Sequence, residues 1–177
     1  MSFDELLIRH SSPTLAGIKP ASLINLRFLE GGTDSIDSLK EKGLSFMLFT
    51  GQSGHPLLLV YRLSAINEVL KSPVATSVLE KNGYKTSEPE KALEHLKQRF
   101  LKERCPHEVG IFLGYPAEDV NGFIENKGKN AISSCMWKVY SDTERAFALC
   151  EKWDRCRECY TEYWKNGTEI TRLCVIA

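Results

Sequence analysis

Leu44-Ser45-Phe46-Met47-Leu48-Phe49-Thr50, then Gly51-Gln52-Ser53-Gly54-His55-Pro56, then Leu57-Leu58-Leu59-Val60-Tyr61-Arg62: this stretch decides the fold. Two apolar runs of strand length flank a turn-forming hexapeptide, which predicts a β-hairpin. The second run is apolar without alternation, the pattern of a strand covered on both faces. Three helices are expected next. Ser64 caps the first, Ser72-Pro73 opens a second that ends at Asn82-Gly83, and Ser87-Glu88-Pro89-Glu90 is a capping box for the third. Leu93, Leu96 and Phe100 share one side of that third helix.

Further along, residues 109–113 (Val-Gly-Ile-Phe-Leu) read as a third strand running into Gly114-Tyr115-Pro116. A helix then starts near Pro116, with Glu118 and Asp119 in its first turn, and ends before Gly128. Residues 135–140 alternate as a fourth strand. Ser141-Asp142-Thr143-Glu144 launches a long helix to about Trp164, closed by Asn166-Gly167, and residues 170–176 read as a last edge strand. Upstream, residues 14–20 look irregular, and Pro20 opens a short helix over 21–28 that Gly31-Gly32 breaks. Asp34 or Ser35 caps another helix, with Ile36 and Leu39 inward, stopping at Gly43. This order is no regular βαβ repeat. It predicts an α+β protein, a small and largely antiparallel sheet of four to five strands packed by several helices, in a single domain over 1–177.

Composition narrows the function classes. The chain has 177 residues, 42% hydrophobic and 26% charged, which fits one globular domain and rules out global disorder. Lys+Arg and Asp+Glu are both 23, so neither a nucleic-acid nor a membrane partner is expected. Residues 1–8 carry early acidic side chains and no long apolar segment, so no secretory signal is expected. Six cysteines without such a signal then predict reduced thiols and a cytoplasmic protein.

The single C-x-x-C, Cys156-Arg157-Glu158-Cys159, falls late in a helix, where the dipole does not favour a thiolate. Zinc wants four ligands, and Cys150, nine residues before Cys159, falls on the opposite side of the same helix. Leu149, Trp153, Cys156, Tyr160 and Tyr163 form one stripe, so Cys156 reads as a core residue and no metal is expected on the pair. Cys174-Val175-Ile176-Ala177 formally matches a prenylation box, but no polybasic stretch precedes it. Lys19-Pro20-Ala21-Ser22 puts a cation and a hydroxyl at an expected helix N-terminus, where backbone N–H groups can hold an anion or serve ordinary capping. No Walker loop, dinucleotide fingerprint, G-x-S-x-G or H-E-x-x-H occurs, so no cofactor is assigned.

Read as a strand, residues 108–114 put Glu108, Gly110, Phe112 and Gly114 on one face, with His107, Val109, Ile111 and Leu113 on the other. Two glycines on one face call for a close neighbour, either a packed helix or a ligand. An extended chain would also hold the strand's head and the turn at its far end about 23 Å apart, more than acid–base groups such as His107 and Tyr115 on one substrate tolerate.

The segment 12–23, Leu59-Val60-Tyr61-Arg62, the block from Pro106-His107-Glu108 through Gly114-Tyr115-Pro116 to Val120, and Trp137-Lys138-Val139-Tyr140 together resemble one family. It is a domain-of-unknown-function family of single-domain proteins, found mainly in anaerobic Gram-positive bacteria. The resemblance spans about residues 10 to 165. It departs at Cys105, where an aromatic usually precedes Pro-His-Glu, so it assigns this thiol no role. Within the shared motifs, Lys19, Ser22, Arg62, His107, Glu108, Tyr115, Trp137, Lys138 and Tyr140 form a polar and aromatic set that suggests a site. The resemblance also implies redox or iron physiology, from family members encoded beside flavodoxin-like or iron-uptake genes.

Three functions compete. The first is a binding module for a small anionic ligand or a protein partner, with charge from Lys19, Arg62 and Lys138 and stacking from Tyr115, Trp137 and Tyr140. The second is an enzyme using His107 or Glu108 as acid or base. The third is an accessory protein docking on a flavodoxin-like partner. The ligand-site expectation comprises Lys19, Ser22, Arg62, His107, Glu108, Gly110, Gly114, Tyr115, Trp137 and Lys138.

Overall fold

A computed structural model describes residues 1–50 and 54–176. Most of the connection between the two hairpin strands, Gly51-Gln52-Ser53, and the Ala177 end of the formal prenylation box lie outside the described residues. The hairpin itself is present. β2 (Ser45–Thr50) pairs antiparallel with β3 (Pro56–Tyr61), from Ser45 opposite Tyr61 to Thr50 opposite Pro56.

β3 has a second antiparallel neighbour, β1 (Ala21–Asn25), giving the order β1-β3-β2. The expected helix over 21–28 is therefore replaced by a strand, followed by a single 3-10 turn at Leu26–Phe28. A strand apolar on both faces sits best in the middle of a sheet, and residues 21–25 supply its other edge. Along β3, Leu59 enters one core while Leu58 and Val60 enter the other. This period of two places a helical layer on each face.

On the first face pack α3 (Leu63–Val69), α4 (Pro73–Lys81), α5 (Pro89–Lys102), α6 (Val109–Phe112) and α7 (Ala117–Glu125). The Ser72 hydroxyl caps α4 by accepting from Ala75 N, and Pro73 needs no partner in the first turn. The other face is covered by α1 (Phe3–Leu15), α2 (Ile36–Glu41) and the short α9 (Ile170–Leu173). Ser2 caps α1, and its apolar residues Leu6, Leu7, Ile8 and Leu15 are buried.

α8 (Thr143–Lys165) lies along α1, capped by Asp142, whose carboxylate accepts from Arg145 N. A third, smaller core forms where α8 meets Trp137 and Val139. None of the described helices is long and apolar enough to cross a membrane.

Several expectations fail on local geometry. The stretch 109–113 is a helical turn, not a third strand: Leu113 N donates to Val109 O, and Tyr115 N to Gly110 O. A run of five apolar residues bounded by turn formers suits either a short strand or a buried helical turn, and tertiary burial chose the latter. Residues 135–140 supply only β5 (Lys138–Val139), paired with β4 (Ser133–Ser134) in a separate two-stranded ribbon. The tail forms α9 rather than an edge strand, with Ile170 and Cys174 buried in the core beside α1. The two sheets thus have three and two strands instead of one with four to five.

The buried face of α8 carries Ala146, Cys150 and Trp153, while Cys156 is half-buried and Tyr163 is exposed. The thiols are not all reduced, since Cys135 and Cys150 form a disulfide. Cys105, Cys156, Cys159 and Cys174 are free. Among the described residues no cluster of three or more His, Cys, Asp or Glu side chains could hold a metal.

Candidate functional site

Helical geometry changes what the 105–120 block can do. The chain advances about 1.5 Å per residue in a helix against about 3.3 Å in a strand. The bond from Tyr115 N to Gly110 O, at 2.9 Å, folds Tyr115 back over α6. His107 and Tyr115 consequently border one cavity, and the expected separation of an extended chain does not arise. Two glycines permit the fold-back. A Cβ at Gly110 would stand 2.9 Å from Val120 Cγ2 and 3.0 Å from Tyr115 Cδ2. Gly114 has φ +79°, and its Cβ would stand 2.6 Å from Pro20 Cδ. Their near neighbours are protein side chains, the packing alternative for these two positions.

The cavity encloses about 330 Å³ between α6, α7 and the β4–β5 ribbon. Tyr115, Phe123, Met136, Trp137, Val109 and Val120 give it an apolar lining, and His107, Cys105, Ser134 and Lys138 supply polar atoms. Tyr115 and Trp137 are stacked, with centroids 4.8 Å apart, and His107 meets the Phe123 ring edge-on at 4.9 Å. His107 and Lys138 are exposed. The Lys138 ammonium donates to Gly128 O at 2.6 Å. Burial, with a further push from Glu108, raises the Cys105 thiol above its ordinary range, and burial raises the Tyr115 phenol. Both groups therefore stay protonated at neutral pH.

Asp119 fixes this wall, a role the sequence did not reveal. Its Oδ2 accepts from Trp137 Nε1 at 2.8 Å. Its Oδ1 accepts from Tyr140 N (2.8 Å), Ser141 N (2.9 Å) and the Ser141 hydroxyl (2.7 Å). Four donors hold a carboxylate that is only 1% exposed, as a buried carboxylate requires. The available sequence signal, an acid in the first turn of α7, pointed to the helix dipole instead.

Of the ten candidates, His107, Gly110, Tyr115, Trp137 and Lys138 line the cavity. The other five lie elsewhere. Glu108 is buried on the far side of its turn, accepting from Tyr84 OH at 2.9 Å and from Arg99 Nε at 2.8 Å. Ser22 is buried against Thr14, hydroxyl to hydroxyl, at 2.9 Å. Arg62 is 1% exposed and spends its guanidinium on backbone carbonyls. Gly114 packs on Pro20.

Lys19 stands outside the cavity, its Nζ 4.7 Å from the Trp153 ring centroid and 5.6 Å from that of Tyr115. Its expected helix N-terminus is absent, because β1 follows. Burial, reinforced by the nearby Arg157 charge, brings its ammonium down to about 8.

No curated protein and no solved structure matches the chain. Residues 7–174 match the model of a family of proteins of unknown function, DUF3793, and the chain belongs to that family.

Proposed function

We propose that the protein is a binding module for a small, flat, anionic molecule held in the α6–α7–ribbon cavity. One observation carries this reading: five expected site residues from two separate stretches of sequence converge on one cavity that has an aromatic lining and an exposed lysine. Pockets of about 300–1,000 Å³ lined by apolar and aromatic groups with a few polar atoms are the usual form of small-molecule sites. An aromatic or heteroaromatic ring fits the Tyr115, Trp137 and Phe123 surfaces. A carboxylate or phosphate fits Lys138, with His107 beside it.

Acid–base catalysis is less well supported. Glu108 is engaged by Tyr84 and Arg99 on the opposite side of its turn, leaving His107 without a carboxylate partner from this pair.

The test is a tryptophan-fluorescence titration with planar aromatic carboxylates and phosphates. Saturable quenching is expected, about tenfold weaker in Lys138→Ala, the loss of one charge-assisted hydrogen bond. A flat titration across the panel, or unchanged affinity in both Lys138→Ala and Trp137→Ala, would refute the reading.

A further inference from the structure

We propose that the Cys135–Cys150 bond is a redox modification site, opened from the protein surface by a dithiol reductant. The bond joins the tip of the β4–β5 ribbon to the third turn of α8, across 15 residues of sequence. Both cysteines line a surface depression of about 450 Å³, together with Phe147, Glu151, Asp154 and Arg155. Cys135 is half-buried and Cys150 only 5% exposed, so a reductant approaches from the Cys135 side.

The other four cysteines are free, and the fold already has extensive apolar cores. A lone bond in such a chain is not the disulfide framework by which small secreted domains replace a core. It holds a ribbon whose own pairing is short: each strand is two residues long, with pairs Ser133–Val139 and Ser134–Lys138. Its other anchors are the Trp137–Asp119 hydrogen bond, the ring contacts of Trp137 with Tyr115 and Trp153, the bond from Lys138 to Gly128 O and the burial of Val139.

The chemistry balances as thiol–disulfide exchange. A thiolate of the reductant attacks Cys135 Sγ, the S–S bond breaks, and the Cys150 thiolate leaves and takes a proton from solvent. The reductant's second thiolate, its proton lost to solvent, then attacks its own sulfur in the mixed disulfide. Cys135 departs as a thiolate and is protonated. Two electrons pass from the dithiol, which ends as a disulfide, to the cysteine pair. Ser134, Met136, Trp137 and Lys138, the neighbours of Cys135, all line the α6–α7–ribbon cavity, so opening the bond loosens that wall. Any effect on ligand affinity rests on the binding reading above; the redox step does not.

The full chain, purified without reductant, is incubated in native buffer with or without dithiothreitol, acid-quenched, and alkylated in denaturant. Peptide mass spectrometry should count four alkylated cysteines rising to six, with Cys135 and Cys150 the two added. Hydrogen exchange over residues 132–140 should accelerate several-fold, while β3 and α5 keep their protection. Six alkylated cysteines without reductant, four after native treatment, or unchanged exchange over 132–140 would each overturn the proposal. A Cys135→Ser/Cys150→Ser protein should reproduce the fast exchange without reductant. If it does not fold, the wild-type comparison still decides. Because no ligand enters this experiment, its failure would leave the binding reading standing, and failure of the fluorescence titration would leave this one.

Discussion

Replacing Arg62 by Met should cost about 3–5 kcal/mol and leave the cavity intact. Arg62 follows β3 directly and drives a guanidinium into the junction of three segments. Nε donates to Thr14 O at 2.9 Å and Nη1 to Lys42 O at 3.0 Å. Nη2 donates to Leu15 O and Val175 O, both at 2.8 Å. No carboxylate is among these partners. The compensating charge comes from carbonyls at the C-terminal ends of α1 and α2, where the peptide dipoles are negative.

After substitution, Thr14 O keeps its bond from Gly17 N and Leu15 O its bond from Val175 N. Lys42 O and Val175 O lose the N–H donors that Arg62 gave them. Both carbonyls are part-buried, so each costs toward the lower end of the ~1–3 kcal/mol of an unpartnered buried group, and the two lost charge-assisted bonds to the buried Thr14 and Leu15 carbonyls add a comparable amount. Met fills most of the volume, so little cavity cost enters. The total is a large share of the ~5–15 kcal/mol that holds a typical domain together.

Urea unfolding followed by far-UV circular dichroism measures the loss, which corresponds to about 8–15 °C in Tm for a chain of this size. Arg62→Lys should recover less than half, since one ammonium cannot reach four carbonyls spread around a planar fork. A Met variant within about 1 kcal/mol of wild type would refute the clamp. A Met variant of normal stability whose ligand titration fails would return Arg62 to the binding site.

Gly114→Ala should destabilise by about 2–4 kcal/mol in the same urea assay, because it adds left-handed strain to a clash with Pro20. A cost below about 0.5 kcal/mol would mean that Pro20 yields freely. Lys19 gives a pH-dependent outcome. Between about 8 and the unfolded value near 10.5, the unfolded chain carries this proton and the folded one does not, so its contribution to stability rises with pH. Cys156, raised to about 11 mainly by burial, acts in the opposite direction above its ordinary value of 9 and would mask this in wild type. The comparison is therefore Lys19→Met, expected to exceed wild type in stability at pH 7 and to lose that margin as pH climbs from about 8 to 10.5. A margin that is flat across this range would place the ammonium in a better-solvated or better-compensated setting than the rings of Tyr115 and Trp153.

What could be read in advance was local. The β2–β3 hairpin, α4 between Ser72-Pro73 and Asn82, and the end of α8 at Asn166 follow from turn formers and caps that act within a few residues. The errors came where a distant neighbour decided. Residues 21–25 carry Pro20 at their head, a helix-opening signal, yet β3 needed a partner on each edge and took them as a strand. Residues 109–113 form an apolar run of strand length, but Gly114 in the left-handed region just beyond Leu113 is the mark of a helix end. That signal was in the sequence and was outweighed by the apolar run. The Cys135–Cys150 bond joins a ribbon to a helix, a proximity that no periodicity within α8 encodes.

The polar set divides along the same line between local and distant causes. His107 and Glu108 are consecutive, and the helical turn sends them to opposite sides. Glu108 goes inward to Tyr84 and Arg99, tying the turn to α5 and to the residue just beyond α4. His107 goes outward to the cavity mouth. Beyond them Gly110 lets Tyr115 fold back, Gly114 lets Pro20 close on the turn, and Asp119 fastens Trp137 against Tyr115. Each of these contacts is structural when taken alone. Together they hold two stacked aromatic rings at fixed positions beside an exposed histidine and lysine. An aromatic pair could have been buried in the core at lower cost in polar anchoring, since a buried carboxylate with four donors is a demanding arrangement. That such an arrangement is built around a partly open cavity, instead of within the continuous core under β3, is the physical argument for treating the cavity as the protein's working surface.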